Sequence, residues 1–225
     1  SPDLGATGRA ALRQAVAMTT SRERPTDRGE TAPSPAARLV GREAELRRLR
    51  GLIDAARAGR GGALRISGEP GIGKSALLAA VAPADLLCLR ATGFEHEIEL
   101  PFAGVEQLRA GLPEEARGAV DQGAAPLDPA AALGDLADRR AARAPLVILA
   151  DDVQWRDPSS RMAIAYLARR APRLGIAVVA VWSRRDSPPE EWPDVPELEL
   201  RGLDRADALG LAARGGLSAA VAEAL

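Results

Sequence analysis

The chain has 225 residues, a formal net charge of −1 and a pI near 6.0, so its overall balance carries no nucleic-acid signature. Cys88 is the only cysteine, which excludes an intrachain disulfide, and with a single histidine it leaves no zinc ligand set. No stretch approaches the ~20 apolar residues of a membrane span, and the N-terminus lacks the apolar core of a signal peptide, so a cytoplasmic location is expected.

Residues 1–37 are rich in Arg, Thr, Pro, Ser and Gly and are expected to be disordered. Order should begin at Leu39-Val40-Gly41-Arg42-Glu43. From Glu43 to Ala58, Leu46, Leu49, Leu52, Ile53 and Ala56 recur at helical spacing, and Gly59 supplies the stop. Ala63 to Ser67 alternates apolar and polar around a β-branched centre, as a short strand does. Ser75 to Ala82 is made of helix formers and halts at Pro83.

Between that strand and helix lies Gly68-Glu69-Pro70-Gly71-Ile72-Gly73-Lys74-Ser75, a match to G-x-x-x-x-G-K-[ST]. Lys74 is the only lysine among 30 basic residues, in a chain that otherwise uses arginine for every cation. Strand, glycine loop and helix together form a phosphate-binding loop. Gly71 and Gly73 allow the backbone to turn its N–H groups toward an anion, where the helix N-terminus adds partial positive charge. Lys74 would then reach the β- and γ-phosphates, and the Ser75 hydroxyl would serve Mg²⁺.

A second strand is expected over Leu86–Ala91, with Cys88 as an inert thiol of its apolar run. Glu95, Glu97 and Glu99 follow as a solvated acidic patch, and the lone His96 is assigned no role. Pro101 to Leu112 has the pattern of an amphipathic helix with Phe102, Val105, Leu108 and Leu112 inward. Residues 113–130 look like loop and 130–143 like a short Ala-rich helix.

Pro145 to Ala150 is a continuous apolar run ending in Asp151-Asp152, the pattern of a buried parallel strand with acids at its carboxyl end. Asp151 is placed to hold Mg²⁺ with Ser75, and Asp152 to orient or deprotonate an attacking water. Trp155 is expected to pack beneath the site. Asp157-Pro158 caps a further helix whose apolar positions include Met162, Ala165, Tyr166 and Leu167. Gly175 to Trp182 is the fourth strand and ends in Ser183-Arg184-Arg185. In P-loop NTPases with an additional strand, which this pattern resembles, a polar or basic residue there contacts the γ-phosphate, with Arg184 favoured and Arg185 the choice after a one-residue slip. A loop over 186–196, a last strand at Leu198–Leu200 and a helix from Asp204 to Arg214 complete the pattern. Alternating strands and helices predict a three-layer α/β/α fold with a mainly parallel sheet.

The segments LVGREAELRRL, GEPGIGKSALL, ATGFEHEIELPFAGVEQL and LVILADDVQWRDPSSRMAIAYLARR resemble the nucleotide-binding domain of large ATP-binding LuxR-family regulators. These are signalling P-loop ATPases of the STAND class within the wider AAA-like group. The resemblance implies a core over residues 38–200 and the beginning of a helical lid over 201–225, which stops short of the family's full lid. It also implies that Leu39, Val40 and Arg42 lie near adenine and ribose. Gly68, Gly71, Ile72, Gly73, Lys74, Ser75 and Ala76 would hold the nucleotide, with Ser75 and Asp151 on Mg²⁺.

The expected function is a Mg·ATP-binding switch with slow hydrolysis and nucleotide-dependent self-association. DNA would be reached only through a C-terminal helix-turn-helix that this chain does not contain. A non-catalytic nucleotide-binding module and a truncated, non-functional product are the alternatives. A small-molecule kinase lacks an acceptor site, and near-neutral charge argues against an origin-recognition-like DNA-binding ATPase.

Overall fold

In the computed structural model, residues 39–114, 117, 145–183, 192 and 194–214 are described, the last three by backbone alone. The expectations for 1–37, for the helix at 130–143, for most of the loops at 113–130 and 186–196, for Arg184 and Arg185, and for the lid beyond 214 lie outside these residues.

The elements run α1 (Glu43–Arg57), β1 (Gly62–Gly68), α2 (Lys74–Val81), β2 (Leu87–Thr92), α3 (Ala103–Ala110), β3 (Leu146–Asp151), α4 (Pro158–Leu174), β4 (Ala177–Ser183), β5 (Glu197–Leu200) and α5 (Arg205–Arg214). Each was expected, with ends displaced by one or two residues. At Gly175 the chain closes α4 in the left-handed region instead of opening β4. Two short helical turns, Glu95–Glu97 and Val153–Trp155, have no counterpart in the sequence reading.

All four strand pairings are parallel, and the sheet order is β2-β3-β4-β1-β5. The fold is therefore the three-layer α/β arrangement anticipated. Strands β3 and β4 are apolar at nearly every position because both of their faces are covered. Leu146, Ile148, Ala150, Val178 and Ala180 join one core with α3 and α4. Val147, Leu149, Val179 and Val181 join the other with α1 and α2. At about 1.5–3 kcal/mol for each large apolar side chain buried, these two cores supply most of the folding drive.

Of the apolar positions expected on helix α4, Ala165 and Leu167 are buried, together with Ala163, Ile164, Ala168 and Ala171, whereas Met162 and Tyr166 are exposed. The small alanines let α4 approach the sheet closely, and that proximity outweighs side-chain hydrophobicity at Met162 and Tyr166. Arg170 lies over the exposed Tyr166 ring, 5.1 Å from its centroid. Likewise Phe102 is only partly buried. It occupies the left-handed region (φ 65°) as the N-cap residue of α3.

One buried carboxylate starts two helices. Asp157 accepts from Ser160 N (2.9 Å) as the cap of α4, as its sequence context predicted. The same carboxylate accepts from Phe102 N (2.9 Å) and Gly104 N (3.5 Å) at the head of α3. Ser160 Oγ likewise accepts from Val105 N at 3.0 Å. Asp157→Ala should therefore lower stability by about 1–4 kcal/mol, twice the usual loss for one cap, in a urea unfolding titration.

Candidate functional site

The carboxyl ends of β1, β3 and β4 lie side by side at one edge of the sheet. Gly68 is in register with Ser183, and Asp151 with Thr92. Gly68 opens the phosphate loop, and a side chain on it would meet Ile72 Cγ2 and Leu200 O at 3.0 Å. The loop turns through positive φ at Gly71 (78°) and Gly73 (98°), a conformation that L side chains resist. Gly73 caps α2 without a side chain, which leaves the first N–H groups of that helix to the loop's concave side. Glu69, Pro70, Gly71, Ser75 and Ala76 are exposed, while Lys74 is buried. Its ammonium donates to Gly68 O (3.0 Å) and Glu69 O (2.9 Å), so the cation is held over its own loop.

Across this edge, Ser75 lies close enough to the Asp151 carboxylate to favour its charged form. Burial pushes the Asp151 carboxyl pKa above the usual range; Ser75 and the Lys74 charge oppose that shift, and the Asp152 charge adds to it. The chain then kinks. Asp152 sits in the left-handed region (φ 47°, ψ 51°), and its N–H donates to Asp151 Oδ1 at 3.0 Å. Its carbonyl passes so close to Gly93 that a Cβ there would lie 2.1 Å away, which fixes glycine at the end of β2.

Three features escaped the sequence reading. Gln154 donates from Nε2 to Asp152 Oδ1 (3.0 Å) and accepts at Oε1 from Ser183 N (3.1 Å). The Ser183 Oγ beside it is buried without a hydrogen-bond partner. Arg156 is buried beside this turn, as Val153 is within it, while its neighbour Trp155 is half-buried. Arg156 runs past Gly93 toward the first turn of α3, where a Cβ on Gly104 would touch Nη1 at 2.4 Å. Desolvation pushes Arg156 down to about 10 against the pull of Asp157, Glu97, Asp151 and Asp152, so it stays charged at neutral pH. Glu97 is correspondingly half-buried and accepts from Gln107 Nε2 at 3.1 Å, not simply solvated. A lone arginine among several carboxylates was the only sequence signal for this cluster.

Arg42 is buried and ties three segments together. It donates to Ile72 O in the phosphate loop (3.3 Å), to Arg201 O just after β5 (2.8 Å) and to Glu45 (3.1 Å). Leu39 and Val40 precede it in the chain and are partly buried, and α5 runs close by. Gly210 faces Val40, and the Asp207 carboxylate lies against Gly41. The half-buried Cys88 has its thiol pKa raised by desolvation, as an inert core thiol should. Among the described residues no cluster of three or more His, Cys, Asp or Glu could hold a metal by itself, and no helix is long and apolar enough to cross a membrane.

Residues 38–180 match the AAA ATPase domain family. The chain belongs to that family. Its nucleotide-binding P-loop character follows, and the family in general uses nucleotide and Mg²⁺. No curated protein matches the chain in sequence. Among solved structures, it is similar to a chain in the Drosophila ORC–DNA complex (TM-score 0.57, 16% identity, 96% of this chain and 63% of that one). It is also similar to a chain in the E. coli MS115-1 HORMA:CdnC:Trip13 complex (TM-score 0.54, 16% identity, 89% of this chain and 78% of that one). At such identities the likeness concerns the fold alone, and this chain spans under two thirds of the length of the ORC chain.

The donor set fits magnesium. A serine hydroxyl and a carboxylate, both hard oxygen ligands, already lie near each other at the head of α2. A raised carboxyl pKa in the folded state means that folding favours protonated Asp151. Its contribution to stability is therefore present at low pH and is lost as pH rises through the folded value. Without nucleotide and metal, Asp151→Asn should raise the urea midpoint at pH 7, and the gain should vanish as the pH is lowered through the carboxylate range.

Proposed function

We propose that this AAA ATPase domain binds Mg·ATP and serves as a nucleotide-dependent switch with slow turnover, in a regulator of LuxR type. The observation that carries the reading is the buried Lys74, whose ammonium donates to Gly68 O and Glu69 O of its own loop, with Ser75 near the Asp151 carboxylate. Gly68, Gly71, Ile72, Gly73, Lys74, Ser75 and Ala76 form the phosphate cradle, in which backbone N–H groups bind oxygens and Lys74 leaves its own carbonyls for the phosphates. Ser75 and Asp151 hold Mg²⁺, which when bound neutralises charge on the β- and γ-phosphate oxygens. Asp152 accepts hydrogen bonding from the attacking water and takes its proton. Leu39, Val40 and Arg42 border the adenine side, with Arg42 fixing the phosphate loop against the exit of β5. Arg184 is proposed as the γ-phosphate sensor on its position directly after β4.

The regulator reading rests on the LVGRE, P-loop and DDVQWRDPS segments. In it, nucleotide state governs self-association, and DNA is contacted by a helix-turn-helix elsewhere in a parent protein.

Replacing Lys74 by Ala removes charged hydrogen bonds worth about 1.5–3 kcal/mol, so affinity for labelled Mg·ATP should fall roughly 10–100-fold. Wild-type affinity in this variant would overturn the binding site. Asp152→Asn should keep that affinity and lower phosphate release by ~100-fold or more. Tight ADP binding without turnover in the wild type would instead identify a binding-only module.

A further inference from the structure

We propose that Gln154 is a positioning residue for Asp152, setting the acid and the end of β4 as one rigid unit beside the phosphate loop. The inference rests on the reading of Asp152 as the group that activates water.

Asp152 sits in the left-handed region, where few residues other than glycine, asparagine and aspartate are found and a local side-chain hydrogen bond helps to hold the turn. Gln154 holds it from the side-chain end. The amide can take only one orientation, because its NH₂ faces a carboxylate oxygen and its carbonyl faces a backbone N–H. Reversal would set acceptor against acceptor and donor against donor. With Oδ1 engaged by Gln154, the remaining oxygen of Asp152 is the one left to accept a proton from water.

The other end of the amide is equally informative. Ser183 is the last residue of β4 and lies opposite Gly68 in the ladder with β1. Gln154 therefore spans from the acid at the end of β3 to the strand adjoining the phosphate loop. A displacement of the β4 terminus would move the carboxylate, and the reverse. Trp155 and Trp182 are the immediate chain neighbours of the two linked residues, so each end of the link has an intrinsic reporter.

The test uses the whole chain and the variants Gln154→Ala and Gln154→Glu. Glutamate keeps an acceptor for Ser183 N but sets a second carboxylate against Asp152, so a packing role would tolerate it and a positioning role would not. Expected is a fall in kcat of roughly 10–100-fold for Gln154→Ala, at least as large for Gln154→Glu, with Mg·ADP affinity within about twofold of wild type. Turnover near the wild-type rate in either variant, or ADP affinity falling in step with kcat, overturns the proposal. Should the wild type bind ATP without turning it over, the hydrolysis reading fails on its own, and the link is judged by tryptophan fluorescence. A difference between Mg·ATP- and Mg·ADP-loaded wild type that disappears in Gln154→Ala sustains it. Survival of that difference in the variant, or its absence from the wild type, overturns it.

Discussion

The parallel ladder of β1, β4 and β3 is the constraint on which everything else depends. It requires both faces of β3 and β4 to be covered, and the two apolar cores meet that requirement. Because the strands are parallel, their carboxyl ends emerge together. The phosphate loop, the acid pair and the end of β4 thus converge although they are distant in sequence. A ligand site at this edge follows from the topology, since only here do several chain reversals open on the same side.

Around that edge the domain buries several charges, and each has a different justification. Asp157 exchanges its desolvation cost for hydrogen bonds to the heads of two helices, and so locks α3 to α4. Arg42 does the same for carbonyls of the phosphate loop and the segment after β5. Arg156 differs, because its Nε and Nη2 have no hydrogen-bond partner. Its burial is offset by the field of Asp157, Glu97, Asp151 and Asp152. These residues make the acid pair part of a network that reaches back through the turn at Glu95–Glu97 to α3. A lone arginine here balances charge as much as it binds anything.

Part of the candidate site was legible in sequence because its chemistry demands consecutive residues. A phosphate loop needs glycines, lysine and serine at fixed spacing, and a buried strand ending in acids announces itself by hydropathy. The side-chain links were not legible. Gln154 to Ser183, Arg42 to Arg201 and Asp157 to Phe102 join positions far apart in the chain, and nothing in local pattern specifies such pairs. The exposed faces at Met162 and Tyr166 have a related cause. Periodicity counts apolar residues, whereas the sheet selects the side chains that fit against it.

What the sequence determined by itself was the order of the elements, their approximate ends, the α/β class and the glycine loop and acid pair that form the candidate site. Those are properties of short windows, fixed by hydropathy, glycine conformation and capping. Tertiary structure alone decided the strand order, with β4 and β3 inserted between β1 and β2. It also decided that Ser75 lies near Asp151, that Lys74 is folded over its own loop, and that Gln154 bridges two strand ends. Such contacts depend on which strands are neighbours, and neighbourhood is a property of the whole sheet.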